Sequence, residues 1–457
     1  MARRGDRCSL SCNPDLTLDL LDARREGRAE FLLVGQANGE LPFMPGDGDL
    51  PASVFSHLLE DCDFPLFAPP KQPLSLTEYA IGLNIARLIA DGGTLQIGIG
   101  EEGDAAVHAL ILRHRQNAVF TGAVAALTGT APPLAIEERG PFAAGLYGVS
   151  EMLVDGFLEL IDAGILKRAV DGVLVHGGFF LGPKSFYRRL REMAPDALAR
   201  IQMTRISFTN QLYGGETAKR GARIKARFVN NAMMATLLGA VVSDALEDGR
   251  VVSGVGGQFN FIDQAFALDG ARAIVAIPAT RRQGGRLQSN IRWSYGHTTI
   301  PRHLRDIVVS EYGIADLRGR SDEDVIAAML GIADSRFQAE LLAQAKTAGK
   351  IAGSYEIPAA QRDNTPGRIA AALTPFRASL PDYPFGCDFT AVEQRLLPAL
   401  EKLKDATSLQ LARFALAGLA SGEEAALARM GPRAPRVPGR DSVSRPGPRR
   451  APVLTVT

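Results

Sequence analysis

The chain has 457 residues, enough for two or three domains, and its 46% hydrophobic and 22% charged residues are ordinary for a globular protein. Its 51 basic and 50 acidic residues leave almost no net charge, so the composition gives no sign of a nucleic-acid or membrane-surface partner. The longest apolar run, residues 233–242, is too short to cross a bilayer.

The four cysteines do not form a pattern typical of disulfides or of a zinc site. Cys62 and Cys387 are isolated, and Cys8 and Cys12 lie in a polar segment without neighbouring histidines. The basic N-terminus is not followed by an apolar stretch, so no export signal is indicated. We therefore expect a cytoplasmic protein without a bound metal.

The composition of the two ends differs from that of the rest. Residues 1–15 are polar and predict a disordered leader, and residues 431–457 are rich in Pro and Arg and predict a disordered tail. A basic connector at residues 220–227 predicts a boundary between an N-terminal domain, 16–219, and a C-terminal domain, 220–410.

A capping box at Ser75 to Glu78 predicts a helix that leads into a first strand at Thr94–Ile97. The strand ends in Gly98–Gly103, a G-x-G-x-x-G pattern that precedes a helix beginning near Asp104 and formally matches a dinucleotide fingerprint. Two carboxylates stand where a pyrophosphate would lie, and no acidic residue follows about 20 residues later, so we reject NAD binding. A backbone that approaches some ligand closely and a plain tight turn both remain open.

Glu151 is the candidate nucleophile. Ser150 is a suitable N-cap, and apolar residues recur at helical spacing from Met152 until Gly164. This pattern predicts that Glu151 lies in a first helical turn, where the helix dipole would keep it ionised and nucleophilic. The alternative is that an acidic residue in a first turn only complements the dipole.

Strands and helices then alternate along the chain, which predicts mainly parallel sheets with helices on both faces. Asp248–Gly257 echoes Asp91–Gly100, with a D-G turn, a short strand and a G-x-G loop, and suggests a duplicated α/β unit. In this second loop, main-chain N–H groups at Gly256 and Gly257 could converge on an oxyanion, with the side-chain amide of Gln258 beside them. A glycine turn at a strand end is the alternative.

Four segments together resemble the acetyl-CoA hydrolase/transferase family, which includes 4-hydroxybutyrate and succinate CoA-transferases. They are GIG (98–100), SEMLVDGFLELIDAGIL (150–166), SGVGGQFNF (253–261) and SEYGIADLRG (310–319). The resemblance implies an α/β fold of two similar CoA-transferase-type domains with the active site between them, and a glutamate nucleophile at Glu151. It also implies CoA contacts from Gly98, Ile99, Gly100, Glu101, Glu102, Ser253, Gly254 and Gly257.

The expected activity is hydrolysis of a short-chain acyl-CoA, above all acetyl-CoA, or CoA transfer to a carboxylic acid, through a glutamyl-CoA thioester. CoA would be a substrate rather than a permanently bound cofactor, and a homodimer or larger homo-oligomer is expected. Because Glu101 and Glu102 lie in the first loop, a non-catalytic CoA-binding or sensing protein is the alternative.

Overall fold

The computed structural model describes residues 1–60, 64–129, 131–283, 285–404 and 453–456. Cys62 lies outside these ranges, as do residues 431–452 and 457 of the predicted tail. Among the described residues, no helix is both long and apolar enough to cross a bilayer.

Residues 1–60 form a small layer of short strands around one helix. Its elements are β1 (Ala2–Arg4), β2 (Arg7–Ser9), α1 (Asp15–Arg25), β3 (Leu32–Gln36), β4 (Asp49–Pro51) and β5 (His57–Leu59). Met1, Cys8 and Leu10 are buried in a core of their own with apolar side chains of α1 and β3. The prediction of a disordered leader over residues 1–15 is therefore wrong, because its few apolar residues pack against partners supplied by the next 40 residues.

The capping box predicted at Ser75 is confirmed. The Ser75 hydroxyl accepts a hydrogen bond from Thr77 N at 3.1 Å, and the Glu78 carboxylate accepts one from Ser75 N at 2.8 Å. The elements from this helix to the predicted boundary are α2 (Leu76–Ala86), β6 (Thr94–Ile97), α3 (Glu101–Arg115), α4 (Asn117–Thr128), β7 (Tyr147–Leu153), α5 (Asp155–Asp162), β8 (Val175–Phe180), α6 (Lys184–Glu192), α7 (Pro195–Leu198), β9 (Ile201–Met203), α8 (Ile206–Thr209) and α9 (Glu216–Ala222).

The rest of the chain continues the alternation of strands and helices. Its elements are β10 (Arg227–Asn231), β11 (Met234–Thr236), β12 (Val241–Val242), α10 (Gln258–Ala267), β13 (Arg272–Ala276), β14 (Thr280–Gln283), β15 (Arg286–Ser289), β16 (Ile291–Arg292), β17 (Ile307–Ser310), β18 (Gly313–Asp316), α11 (Asp322–Gly331), α12 (Ser335–Thr347), α13 (Pro366–Leu373), α14 (Ala391–Lys404) and β19 (Val453–Val456). Strand β19 pairs with β3, so within the predicted disordered tail residues 453–456 are a strand. Val and Thr in that segment favour strand structure.

An eight-stranded sheet organises the molecule, in the order β18-β17-β13-β10-β6-β7-β8-β9. Its strands are parallel except for β18, which runs antiparallel to β17. The predicted α/β class with a mainly parallel sheet is confirmed. Each half of the chain supplies four strands, and the halves meet where β6 pairs with β10 at the centre of the sheet. The boundary near residue 220 itself stays a prediction.

Helices cover both faces of this sheet, as the alternating burial along β13 demonstrates. Ile274 and Ala276 pack in the core formed with α2, α3 and α5, whereas Ala273 and Val275 pack in the core formed with α10 and α11. A strand that is buried on both faces has a continuous apolar sequence, as residues 273–276 do.

Candidate active site

The carboxyl ends of the central strands meet at one edge of the sheet, and Glu151 lies at this edge, near the end of β7. Strands β6 and β10 are neighbours there. The chain leads from β6 through α3 and α4 to β7 on one side of this pair, and from β10 through α10 to β13 on the other side. Ligands of open α/β sheets bind outside the carboxyl ends of the strands at such a switch point. The topology therefore makes this edge the candidate active site.

The prediction that Glu151 occupies a first helical turn is wrong. Residues 147–153 are a strand paired with β6 and β8, and helix α5 begins only at Asp155. The Ser150 hydroxyl donates to the carbonyl of Ile97 at 3.4 Å instead of capping a helix. Burial between two helical layers and pairing with a strand about 25 residues away outweigh the local capping pattern.

The Glu151 carboxylate is half-buried and held by one group from each half of the chain. Asn210 Nδ2 donates to Glu151 Oε2 at 3.1 Å, and the backbone N–H of Gly257 also hydrogen-bonds the carboxylate. Burial raises the pKa of Glu151, and the bonds from Asn210 and Gly257 oppose that rise. Gly257 is the N-cap residue of α10, so a positive helix end does face this carboxylate, although it belongs to α10 and not to α5.

Gly256 and Gly257 form the turn before α10, and both must be glycines because the Glu151 carboxylate lies directly against them. A Cβ at Gly257 would overlap Glu151 Oε2, lie 2.7 Å from Asn210 Nδ2 and lie 3.1 Å from Glu151 Cδ. Gly256 has φ +55°, and a Cβ there would lie 3.4 Å from Glu151 Oε1. The structure thus brings Glu151, Gly256 and Gly257 together, and their catalytic role stays a prediction.

The other predicted residues of the second loop lie farther out or point elsewhere. Gln258 is buried, and its Nε2 donates to the carbonyl of Asn231 at 3.0 Å, so its amide donor is already engaged. Its Oε1 is buried and accepts no hydrogen bond from the described residues. Ser253 and Gly254 are exposed at the rim. The strand predicted by the echo with Asp91–Gly100 is absent from residues 251–253 in the structure, where an exposed loop takes its place.

The first Gly-loop lies beside Asn231, at the end of β10. Gly100 has φ +105° and is the N-cap of α3, which starts at Glu101, three residues before the predicted start. Asn231 Nδ2 donates to the Ile99 carbonyl at 2.9 Å and to Glu102 Oε2 at 3.0 Å. Burial raises the pKa of Glu102. The loop is therefore tied to the second half of the chain, and its contacts with CoA stay a prediction.

Asn210 and Asn231 are the residues of this site that the sequence analysis missed. Neither belongs to a recognisable motif, because each acts through a contact with a residue at least 59 positions away. The available signal was the position of these two asparagines relative to the ends of strands. Asn231 is the last residue of β10 and Asn210 follows β9 and α8, and polar side chains at the carboxyl ends of parallel strands converge at one edge of the sheet.

Two cations, Lys219 in α9 and Arg223 directly after it, hold the segment that carries Asn210. Lys219 Nζ donates to the carbonyls of Ser207 at 2.9 Å, Gln211 at 3.0 Å and Tyr213 at 2.7 Å. Arg223 is almost completely buried and donates to the carbonyl of Phe208. Burial lowers the pKa of Lys219 to about 8. The connector between the halves thus fixes the position of the Glu151 partner.

Comparisons with known proteins find similarity to CoA-transferases. Residues 182–345 match the family model described as acetyl-CoA hydrolase/transferase C-terminal domain. The 4-hydroxybutyrate coenzyme A transferase of Clostridium kluyveri is 28% identical over 321 residues, which are 69% of this chain and 63% of that protein. The succinyl-CoA:cyclohexane-1-carboxylate CoA transferase of Geobacter metallireducens is 25% identical over 325 residues, which are 70% of this chain and 64% of that protein. The chain thus spans less than two thirds of the length of these curated relatives.

Two solved structures share the fold. RipA from Yersinia pestis superposes with a TM-score of 0.61 at 22% identity, over 77% of this chain and 70% of that one. The 4-hydroxybutyrate CoA-transferase from Porphyromonas gingivalis superposes with a TM-score of 0.56 at 24% identity, over 76% of this chain and 73% of that one. The chain is thus similar to CoA-transferases in sequence, shares the fold of these two structures, and matches the acetyl-CoA hydrolase/transferase C-terminal domain over residues 182–345.

Proposed function

We propose that this chain is an acyl-CoA hydrolase or CoA-transferase that acts on short acyl groups, acetyl-CoA among them, through a thioester between Glu151 and CoA. One observation carries the proposal: the half-buried Glu151 carboxylate is held at the carboxyl end of a parallel sheet by Asn210 and by the Gly257 N–H. The similarity to CoA-transferases supports the reaction class.

The chemistry follows from what a carboxylate does to a thioester. Glu151 Oε1, the oxygen that does not bind Asn210, attacks the acyl carbonyl, and the C–S bond of the tetrahedral adduct breaks, which releases CoA thiolate and leaves a mixed anhydride between Glu151 and the acyl group. The thiolate then attacks the glutamyl carbonyl, which releases the acyl group as a carboxylate and leaves CoA joined to Glu151. A second carboxylate reverses these steps and leaves as a new acyl-CoA, whereas water would release free CoA and restore the glutamate.

Asn210 and Gly257 are placed for the steps at the glutamyl carbonyl. When thiolate attacks that carbon, negative charge develops on the glutamyl oxygen that Asn210 already contacts. Donors fixed in advance at such an oxygen need no reorganisation during the reaction. In other enzymes, removal of one such donor raises the activation free energy by about 3–4 kcal/mol. The resting hydrogen bonds therefore preorganise the oxyanion site.

The test is a hydroxylamine-sensitive CoA adduct on the intact protein, measured by mass spectrometry after mixing with acetyl-CoA. We expect a mass increase from the glutamyl thioester in the wild type and none in Glu151→Gln. Thiol release with and without added acetate or butyrate then separates hydrolase from transferase. CoA binding that is the same in both proteins, with no adduct and no thiol release, would instead identify a non-catalytic CoA-binding protein.

A further inference from the structure

A cavity of about 210 Å³ lies beside the strand that carries Glu151, and none of the steps above uses it. Gly98 of the first Gly-loop lines it, together with Met152 and Val154 from the end of β7 and Leu181 after β8. Met152 directly follows Glu151, and consecutive Cα atoms are about 3.8 Å apart. The Glu151 side chain is not part of this lining, since its carboxylate faces Asn210 and Gly257; the cavity lies beside the next residue of the strand, at the same edge of the sheet.

The size and much of the lining of this cavity suit a short hydrocarbon chain. Apolar side chains make up much of its wall, namely Pro69, Pro70, Ile99, Met152, Val154, Leu181 and Pro183. A dry apolar cavity of about 150 Å³ in another protein accommodates benzene. The space here thus has room for an acyl group of up to about six carbons.

A buried ion cluster, formed by Lys71, Asp104 and Asp155, lines the cavity. Lys71 Nζ donates to both carboxylate oxygens of Asp104, at 2.6 and 2.7 Å, and to Asp155 Oδ1 at 2.7 Å. An ammonium group has three N–H donors, so these bonds occupy all of them. Lys71 therefore has no hydrogen bond to offer to an incoming anion.

The charges around the cavity sum to a negative value. Glu101 also lines it, so three carboxylates face one ammonium group. Burial raises the pKa of Asp104 to about 6, which leaves this residue largely ionised at pH 7.5. A second carboxylate on an acyl group would lose water on entering the cavity and meet like charges there.

We propose that this cavity holds the acyl group of the substrate, and that Asp104, Asp155 and Glu101 select short uncharged monocarboxylates against dicarboxylates. The inference rests on the proposed function of Glu151 and extends it to the class of acid. An aliphatic or hydroxylated chain of two to four carbons packs against the apolar wall, whereas the far carboxylate of a succinyl group is repelled.

The experiment compares the rate of adduct formation on Glu151 from butyryl-CoA and from succinyl-CoA at pH 7.5, with the intact protein. This single turnover is common to hydrolase and transferase. We expect the wild type to react at least tenfold faster with butyryl-CoA. In the double variant Asp104→Asn/Asp155→Asn, Lys71 is left uncompensated, and the succinyl-to-butyryl rate ratio should rise at least tenfold. Asp196→Asn, an exposed aspartate of α7 away from the cavity, should leave the ratio unchanged.

Glu101→Gln provides an independent variant in case the double substitution prevents folding, because Glu101 is partly exposed. It should shift the ratio in the same direction by about threefold. Equal wild-type rates with the two acyl-CoAs, or an unchanged ratio in folded cavity variants, would overturn the charge selection while leaving the proposed function intact. The absence of an adduct from every acyl-CoA would overturn the proposed function and, with it, this inference.

Discussion

Substitution of Gly257 by alanine tests the proposed site most directly. The backbone of Gly257 has φ −84°, which any residue can adopt, so alanine brings no backbone strain. Its methyl group would, however, overlap Glu151 Oε2 and lie 2.7 Å from Asn210 Nδ2. The carboxylate must move away, and it then loses its contacts with both donors. Because loss of one oxyanion donor costs about 10²–10³ in rate elsewhere, we expect adduct formation to fall at least about 100-fold.

Gly353→Ala is the matched control for this substitution. Gly353 is exposed and outside the residues assigned to the site, and a Cβ built there meets no atom within 4 Å. Rapid-quench mass spectrometry of the CoA adduct gives the rate in both variants, and thermal unfolding reports whether each is folded. If Gly257→Ala forms the adduct as fast as Gly353→Ala, the glycine turn does not determine the geometry of the nucleophile, and the assignment of this site fails.

Three further predictions concern the groups around the nucleophile. Because only ionised Glu151 attacks and its pKa is raised, adduct formation should decline with falling pH at a midpoint above 4.5, as a pH–rate profile would reveal. Asn210→Ala removes a hydrogen bond that lowers this pKa, so the midpoint should move to higher pH and the rate should fall about tenfold or more. An unchanged midpoint would contradict an effect of Asn210 on the pKa of Glu151. Lys219→Met leaves three carbonyls without their donor and should reduce the rate and the melting temperature together, whereas Arg220→Met on the exposed face of α9 should change neither.

The pH dependence of stability has a definite sign at Glu151. Its pKa is raised in the folded state, so the folded protein binds this proton more tightly than the unfolded chain does. Glu151 therefore favours folding at low pH, and this contribution is lost as pH rises through the window between 4.5 and the raised value. Glu151→Gln should accordingly be more stable than the wild type at pH 7.5, which chemical denaturation would measure. If Glu151→Gln were less stable than the wild type at pH 7.5, burial of the charged carboxylate would not be the dominant influence at this position.

The class of fold could be predicted from the sequence, because alternating strands and helices leave a local signal in every segment. The position of Glu151 could not. Ser150 and the helical spacing after Met152 favour a helix, and only the pairing of β7 with β8 makes this segment a strand. The distant partner strand supplies the deciding energy, and a local pattern contains no information about it.

The dependence on distant partners also explains why neither the role of Asn210 nor the folding of residues 1–15 was predicted from the sequence. Asn210 became part of the site because α9 holds its segment, a relation between residues that no spacing rule describes. Residues 1–15 look too polar to pack when taken alone, and their core is completed by α1 and β3. In both cases the sequence contained the chemical groups, but the fold determined which of them meet.

The balance of forces on Glu151 explains how one carboxylate can be both ionised and reactive. A carboxylate that accepts two or three hydrogen bonds from backbone N–H groups can have a pKa far below its usual range, and so weak a base is a poor nucleophile. Burial at the end of β7 acts in the opposite direction and makes Glu151 more basic than a glutamate in water. Asn210 and Gly257 then hold the carboxylate without removing that basicity, because together they only partly offset the effect of burial. The site therefore depends on a carboxylate that is buried and incompletely solvated, and added donors at this position would slow the attack on a thioester.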